Sequence, residues 1–301
     1  MGVRWLATSA RSSRRGRVGP MTELLDLDLP NGRLRVERSG PADAPAVVCV
    51  HGLTANLRSF DALREPLLAA GRQMVAIDLR GRGRSADTGP GTYGLDRHAD
   101  DVVGVADALG LDTFAYVGWS MGALTGLEVV ARAGARIPRL ALLDAVGGMD
   151  DAAIAAVRAG TARLDAVVPT PEPYLDALKA SGVFDPWDPF WDAYFTYELA
   201  PVDGGLSPST SRSAVLEDLD VAGRDFTPLW ADLTMPTLLV WASQDLGGGL
   251  IVPQDVRDEF LARVPTATLH AVDRNHYGIM VAPGVPEAIT AHVTDAEHRP
   301  G

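Results

Sequence analysis

A serine at position 120 stands in the run Gly118-Trp119-Ser120-Met121-Gly122, between an apolar stretch, Phe114–Val117, and a helical one, Ala123–Ala133. On a strand-to-helix turn, flanked by glycines, such a serine is forced into tight, strained backbone that lifts its hydroxyl above the sheet edge. The helix that follows supplies free N–H groups and the positive end of its dipole. The chemistry open to this serine is nucleophilic attack on a carbonyl. It then needs a base to take its proton and a carboxylate to orient that base. Six histidines are candidates for the base: His51, His98, His270, His276, His292 and His298. Two carboxylates follow strand-like runs between Ser120 and the late histidines: Asp144 after Leu140–Leu143, and Asp245 after Thr237–Trp241. Either satisfies the order serine, acid, histidine. The single cysteine, Cys49, lies in an apolar run and reads as a core residue, and no Cys/His spacing suggests a metal site. No cofactor is expected.

These residues need elements to hold them. Leu24–Leu29 and Arg33–Arg38 read as strands joined by the turn Pro30-Asn31-Gly32. Ala46–Val50 is continuously apolar, as a strand buried on both faces must be. Phe60–Ala70, Leu95–Leu109 and Ala123–Ala133 read as helices, alternating with strands at Met74–Ile77, Phe114–Val117 and Leu140–Leu143. This alternation implies a parallel sheet covered by helices on both faces. It stops at about residue 147 and resumes with the strands Thr237–Trp241 and Thr268–Val272 and the helices Val252–Val264 and Pro286–Val293. The simplest account is a core made of 21–146 and 235–296, with a mainly helical lid at 147–234 free of buried-strand runs.

With the motifs His51-Gly52-Leu53, Asp78-Leu79-Arg80-Gly81-Arg82-Gly83-Arg84-Ser85 and Gly118–Gly122, the chain resembles the α/β-hydrolase superfamily from about Leu24 to Val293. The resemblance implies a mostly parallel, eight-stranded sheet with a helical cap inserted after strand 6. It implies Ser120 as nucleophile and His276, in the loop after the last strand, as base. Asp245 occupies the usual position of the acid, and Asp144 a position used by some members. The backbone N–H groups of Leu53 and Met121 would form the oxyanion hole, typically worth about 3–4 kcal/mol per donor. His51 would brace its loop through its ring nitrogens, and Asp78 and Arg80 would make structural hydrogen bonds. The residue before the base is usually glycine; Asn275 stands there, and Asn also accepts left-handed backbone.

Within the lid, Phe184, Trp187, Phe190, Trp191, Tyr194, Phe195 and Tyr197 crowd one short stretch, and Trp187, Trp191, Tyr194 and Phe195 share a helical face. Trp187, Trp191, Tyr194 and Tyr277 are candidate pocket residues for an apolar substrate; the competing role of the aromatic face is to pack the lid onto the sheet. The resemblance therefore implies a cofactor-free serine hydrolase acting on a small-molecule ester or lactone. Carbon–carbon bond hydrolysis, perhydrolysis, amide hydrolysis and a non-catalytic receptor on the same fold are the alternatives.

The net charge of −12 argues against nucleic acid, and no apolar run approaches the roughly 18 residues of a membrane span. One cysteine precludes an internal disulfide and fits a reducing, cytoplasmic setting. Oligomeric state is left open. The first twenty residues are arginine-rich and lack acids, which fits a disordered arm, read either as an over-long start before Met21 or as a transit peptide.

Overall fold

A computed structural model describes residues 22–220 and 224–295. The expected arm at 1–20 lies outside the described residues. The chain opens with a hairpin of β1 (Thr22–Leu29) and β2 (Gly32–Ser39). β1 alternates between exposed and half-buried positions, the period of a strand with one wet face. Then come β3 (Ala46–Val50), helix α1 (Asp61–Ala69), β4 (Gln73–Ile77), α2 (Leu95–Ala108), β5 (Phe114–Trp119), α3 (Met121–Ala133) and β6 (Leu140–Leu143). Every residue of β3, β4, β5 and β6 is buried, as strands covered on both faces require.

Between β6 and the next core strand lie α4 (Asp151–Gly160), α5 (Pro171–Ala180), α6 (Phe190–Glu198), the short strands β7 (Leu199–Val202) and β8 (Gly205–Pro208), and α7 (Arg212–Leu219). Within this stretch β7 and β8 pair as a separate antiparallel hairpin, four residues a strand and mostly outside the core, so it is not the buried-strand run whose absence the sequence implies. The core resumes with β9 (Thr237–Ala242), α8 (Gln254–Arg263), β10 (Ala267–Val272) and α9 (Val285–Thr294).

The main sheet has eight strands in the order β1-β2-β4-β3-β5-β6-β9-β10. β2 is antiparallel to both β1 and β4, and the other pairs are parallel. Alternate residues of each strand feed two cores. Val48, Val50, Val75, Ile77 and Tyr116 join α2, α3 and α8 on one face. Val47, Cys49, Ala76, Val117 and Leu143 join α1 and α9 on the other. The second core also takes in Trp191, Tyr194 and Phe195 of α6, so the aromatic stripe serves to pack the insert against the core. Cys49 is fully buried there, and burial pushes its thiol well above the usual range. Among the described residues no helix is long and apolar enough to cross a membrane.

Candidate active site

Ser120 occupies the single residue between β5 and α3 and has φ 57° and ψ −123°. Among the described non-glycine residues, only Ser120 and Asp144 have positive φ. The turn is tight enough to demand its glycines. A Cβ on Gly118 would lie 2.3 Å from the carbonyl oxygen of Gly122, and one on Gly122 would lie 2.0 Å from that of Val50. The Ser120 N–H donates to Leu143 O of β6 at 2.9 Å, which ties the elbow to the neighbouring strand. Met121 is the first residue of α3, so its N–H has no carbonyl within the helix to bond.

His276 and Asp144 meet above the same sheet edge. His276 Nδ1 lies 2.8 Å from Asp144 Oδ2, with both residues buried. Asp144 follows β6 directly, and its other carboxylate oxygen accepts the Ala242 N–H at 3.1 Å. Asp245, the expected acid, is not in this position. It is exposed, three residues beyond the end of β9, and its carboxylate accepts the Gly248 N–H at 2.9 Å in a local turn. The physical reason is reach. Asp144 sits at the very end of β6 with its φ of 50° aiming the side chain across to the His276 loop, whereas Asp245 has already turned away.

Asn275 does not use the left-handed backbone that its type would tolerate. Its Oδ1 instead accepts the N–H groups of Tyr277 and Gly278 at 3.1 and 2.8 Å, and its Nδ2 donates to Val183 O of the insert at 2.8 Å. Trp119 Nε1 donates to His276 O at 3.2 Å, holding the histidine loop from the side of the elbow.

The loop after β3 is pinned at three successive carbonyls. His51 Nε2 accepts the Leu79 N–H at 3.0 Å, so Nδ1 carries the proton and donates to Gly52 O at 2.7 Å. That carbonyl belongs to the peptide whose N–H is that of Leu53. Burial lowers the His51 pKa to about 3, so the ring is neutral and the tautomer is set by its two partners. Arg82 Nε donates to Leu53 O and Arg163 Nη2 to Thr54 O, each at 2.9 Å. Both guanidinium groups are held by carboxylates of the insert: Arg82 by Asp218 at 2.6 Å, and Arg163 by Glu198. His98 Nε2 also meets Asp218, at 2.8 Å. Burial works against the charge on Asp218, but His98 and Arg82 win and hold it at about 2.

The alpha/beta hydrolase fold family matches residues 45–283, most of the chain. This protein belongs to that family. It is 29% identical over 238 residues to the 2-hydroxy-6-oxononadienedioate/2-hydroxy-6-oxononatrienedioate hydrolase 2 of Pseudomonas putida, covering 75% of this chain and 79% of that one. A shorter match, 35% identical over 112 residues, joins 37% of this chain to 42% of the provisionally named carbamate hydrolase RutD of Variovorax paradoxus (strain S110). Among solved structures, the E-2-(acetamidomethylene)succinate hydrolase superposes with a TM-score of 0.81 at 23% identity, over 91% of this chain and all of that one.

In this alpha/beta hydrolase, Ser120 and His276 line one small cavity of about 30 Å³, together with Leu53, Tyr194, Val157 and Tyr277. Of the expected pocket residues, Tyr194 and Tyr277 are therefore at the site. Trp191 is buried in the core, and Trp187 lines a separate hollow beside Arg274 and Pro283. The Asp78–Ser85 loop makes the expected structural contacts: Arg80 forks onto Asp101 at 2.6 and 2.7 Å, and Asp78 accepts the N–H groups of Leu57 and Arg84, each at 2.8 Å. Sequence reasoning did not single out Arg163, Glu198 or Asp218. Their sole signal is an unusual one, charged residues set among the apolar and aromatic positions of the insert.

Proposed function

We propose that the protein is a serine hydrolase that cleaves a carboxylic ester or lactone of a small to medium, apolar molecule through an acyl-enzyme. The observation that carries this reading is the 2.8 Å contact of His276 with Asp144 beside the strained Ser120 elbow. In the proposed reaction His276 Nε2 takes the proton of the Ser120 hydroxyl as its oxygen attacks the carbonyl carbon. The N–H groups of Leu53 and Met121 hold the resulting oxyanion, and the peptide of Leu53 is oriented by His51. His276 returns the proton to the departing alkoxide, and the alcohol leaves. The same base then deprotonates a water that attacks the acyl carbon, releasing the acid and restoring Ser120. Asp144 keeps His276 in the tautomer with Nδ1 protonated and offsets the charge it gains. No cofactor enters this scheme.

A second reading, cleavage of a carbon–carbon bond, is favoured by the match to the Pseudomonas putida hydrolase over most of both chains. That relative is named for dicarboxylates. Among the described residues, Arg163 is the one Lys or Arg lining either the Ser120 cavity or a second cleft that adjoins it between α4 and α5, and it is already paired with Glu198. The ester or lactone reading fits such a lining better. The test is labelling by a fluorophosphonate probe, followed by a panel of p-nitrophenyl esters and lactones. Wild type should be labelled and turn over members of the panel, and Ser120→Ala should do neither. Folded wild-type protein that takes no label would sink the proposal.

A further inference from the structure

A second cavity adjoins the first. It measures about 350 Å³, at the lower end of small-molecule sites, and lies between α4 and α5. Ala159, Ala166, Ala177, Leu178 and Phe184 make its walls largely apolar. All its lining residues belong to the insert except Tyr277, the residue next to His276. Gly160 and Tyr277 line both this cleft and the Ser120 cavity, so the two spaces meet there. Gly160, the last residue of α4, has an ordinary helical φ of −60°, and a Cβ built on it meets nothing within 4 Å. Neither backbone geometry nor crowding therefore calls for glycine at this position. Its effect is to leave the junction open.

The place where the cleft meets the Ser120 cavity bears on what it holds. None of Leu53, Thr54, Ser120, Met121 or His276 lines it, and its one residue from outside the insert among those described is Tyr277. It reaches the Ser120 cavity at Gly160 and Tyr277, and Tyr277 is the chain neighbour of His276, the group that delivers a proton to the departing oxygen of an attacked ester. We infer that the α4–α5 cleft binds the leaving-group portion of the substrate, an apolar alcohol, and that Gly160 sets how large that alcohol can be. This rests on the ester hydrolase reading above.

The experiment compares two ester series on the full-length protein: acetates of ethyl, butyl, octyl and dodecyl alcohol, and ethyl esters of acids of the same chain lengths. Acid release is followed by pH-stat, and Ser120 labelling by a small fluorophosphonate in parallel. In wild type, kcat/KM should rise with alcohol length. Gly160→Phe should lower the octyl-to-ethyl acetate ratio by about tenfold or more, since losing the burial of two methylenes is enough for that. Ala177→Phe, farther along the cleft, should spare butyl acetate and cut the dodecyl ester. The ratio within the acid series should move less than the alcohol ratio in both variants. A melting curve checks that Gly160→Phe folds, and Gly160→Leu serves as the alternative if it does not. Ratios unchanged in both variants, or a loss confined to the acid series, would overturn the inference. Absence of both labelling and turnover in wild type would instead overturn the hydrolase reading, and this inference with it.

Discussion

The hydrogen bond between His276 Nδ1 and Asp144 Oδ2 assigns work to single atoms, and it separates two aspartates that look alike on paper. Asp144→Asn keeps the shape but offers His276 the wrong hydrogen-bonding group, and kcat for ester turnover should fall by about 10³–10⁴. Asp245→Asn changes an exposed turn residue and should leave kcat within about twofold of wild type. Parallel kinetics of the two variants check this. A severe loss in the second with a mild one in the first would reverse the assignment. Ser120 was legible in the sequence because the need is local: glycines two residues to either side and a strand-to-helix change. The carboxylate partner of His276 was not, because both aspartates follow strands in the same chain order. Only the adjacency of β6 and β9 and the positive φ of Asp144 decide which one reaches the histidine loop.

At the scale of elements, the elbow brings β3, β5 and α3 into close approach. Gly122 puts the first turn of α3 against the end of β3 with no room for a side chain. Gly122→Ala should therefore cost about 1–3 kcal/mol of stability and displace the loop after β3 with it. Denaturant unfolding and the rate of fluorophosphonate labelling should both worsen, whereas Gly160→Ala, in open space, should be neutral or slightly stabilising. The core strands were legible because their apolar runs are unbroken. The β7–β8 hairpin was not, since it is short, mostly surface-lying and carries Pro201 and Pro208. The aromatic stripe shows the same kind of limit. The helical spacing read from the sequence groups Trp187 with Trp191 and Tyr194, but Trp187 lies before the start of α6, and the spacing does not say that Tyr194 lines the Ser120 cavity while Trp191 fills the core.

Across the whole molecule, the insert and the core share a few buried polar joints. Tyr197 of α6 donates to Asp78 at 2.7 Å, and Arg84 donates to the carbonyls of Tyr197 and Leu199 at 2.7 and 2.9 Å. Asp78 is fully buried, and burial raises its pKa from 3.8 to about 6 against the pull of Tyr197 and its backbone donors. A carboxyl raised on folding favours the folded state most while it is protonated in both states, below about pH 4. That contribution is lost as pH rises through about 6. Asp78→Asn removes this dependence. The melting temperature of wild type minus that of the variant should thus fall between pH 4 and 7, as measured by calorimetry at several pH values. A difference that stays constant across that range would contradict the assigned shift.

The lone cysteine has a practical corollary. With its thiol sealed inside β3 and held protonated, Cys49 leaves the native surface silent to maleimides and iodoacetamides. A cysteine introduced at exposed Ala177 would then be the one reactive thiol on the folded protein, at the wall of the α4–α5 cleft. A fluorophore attached there would report on occupancy of the cleft in real time, with no background thiol to engineer away.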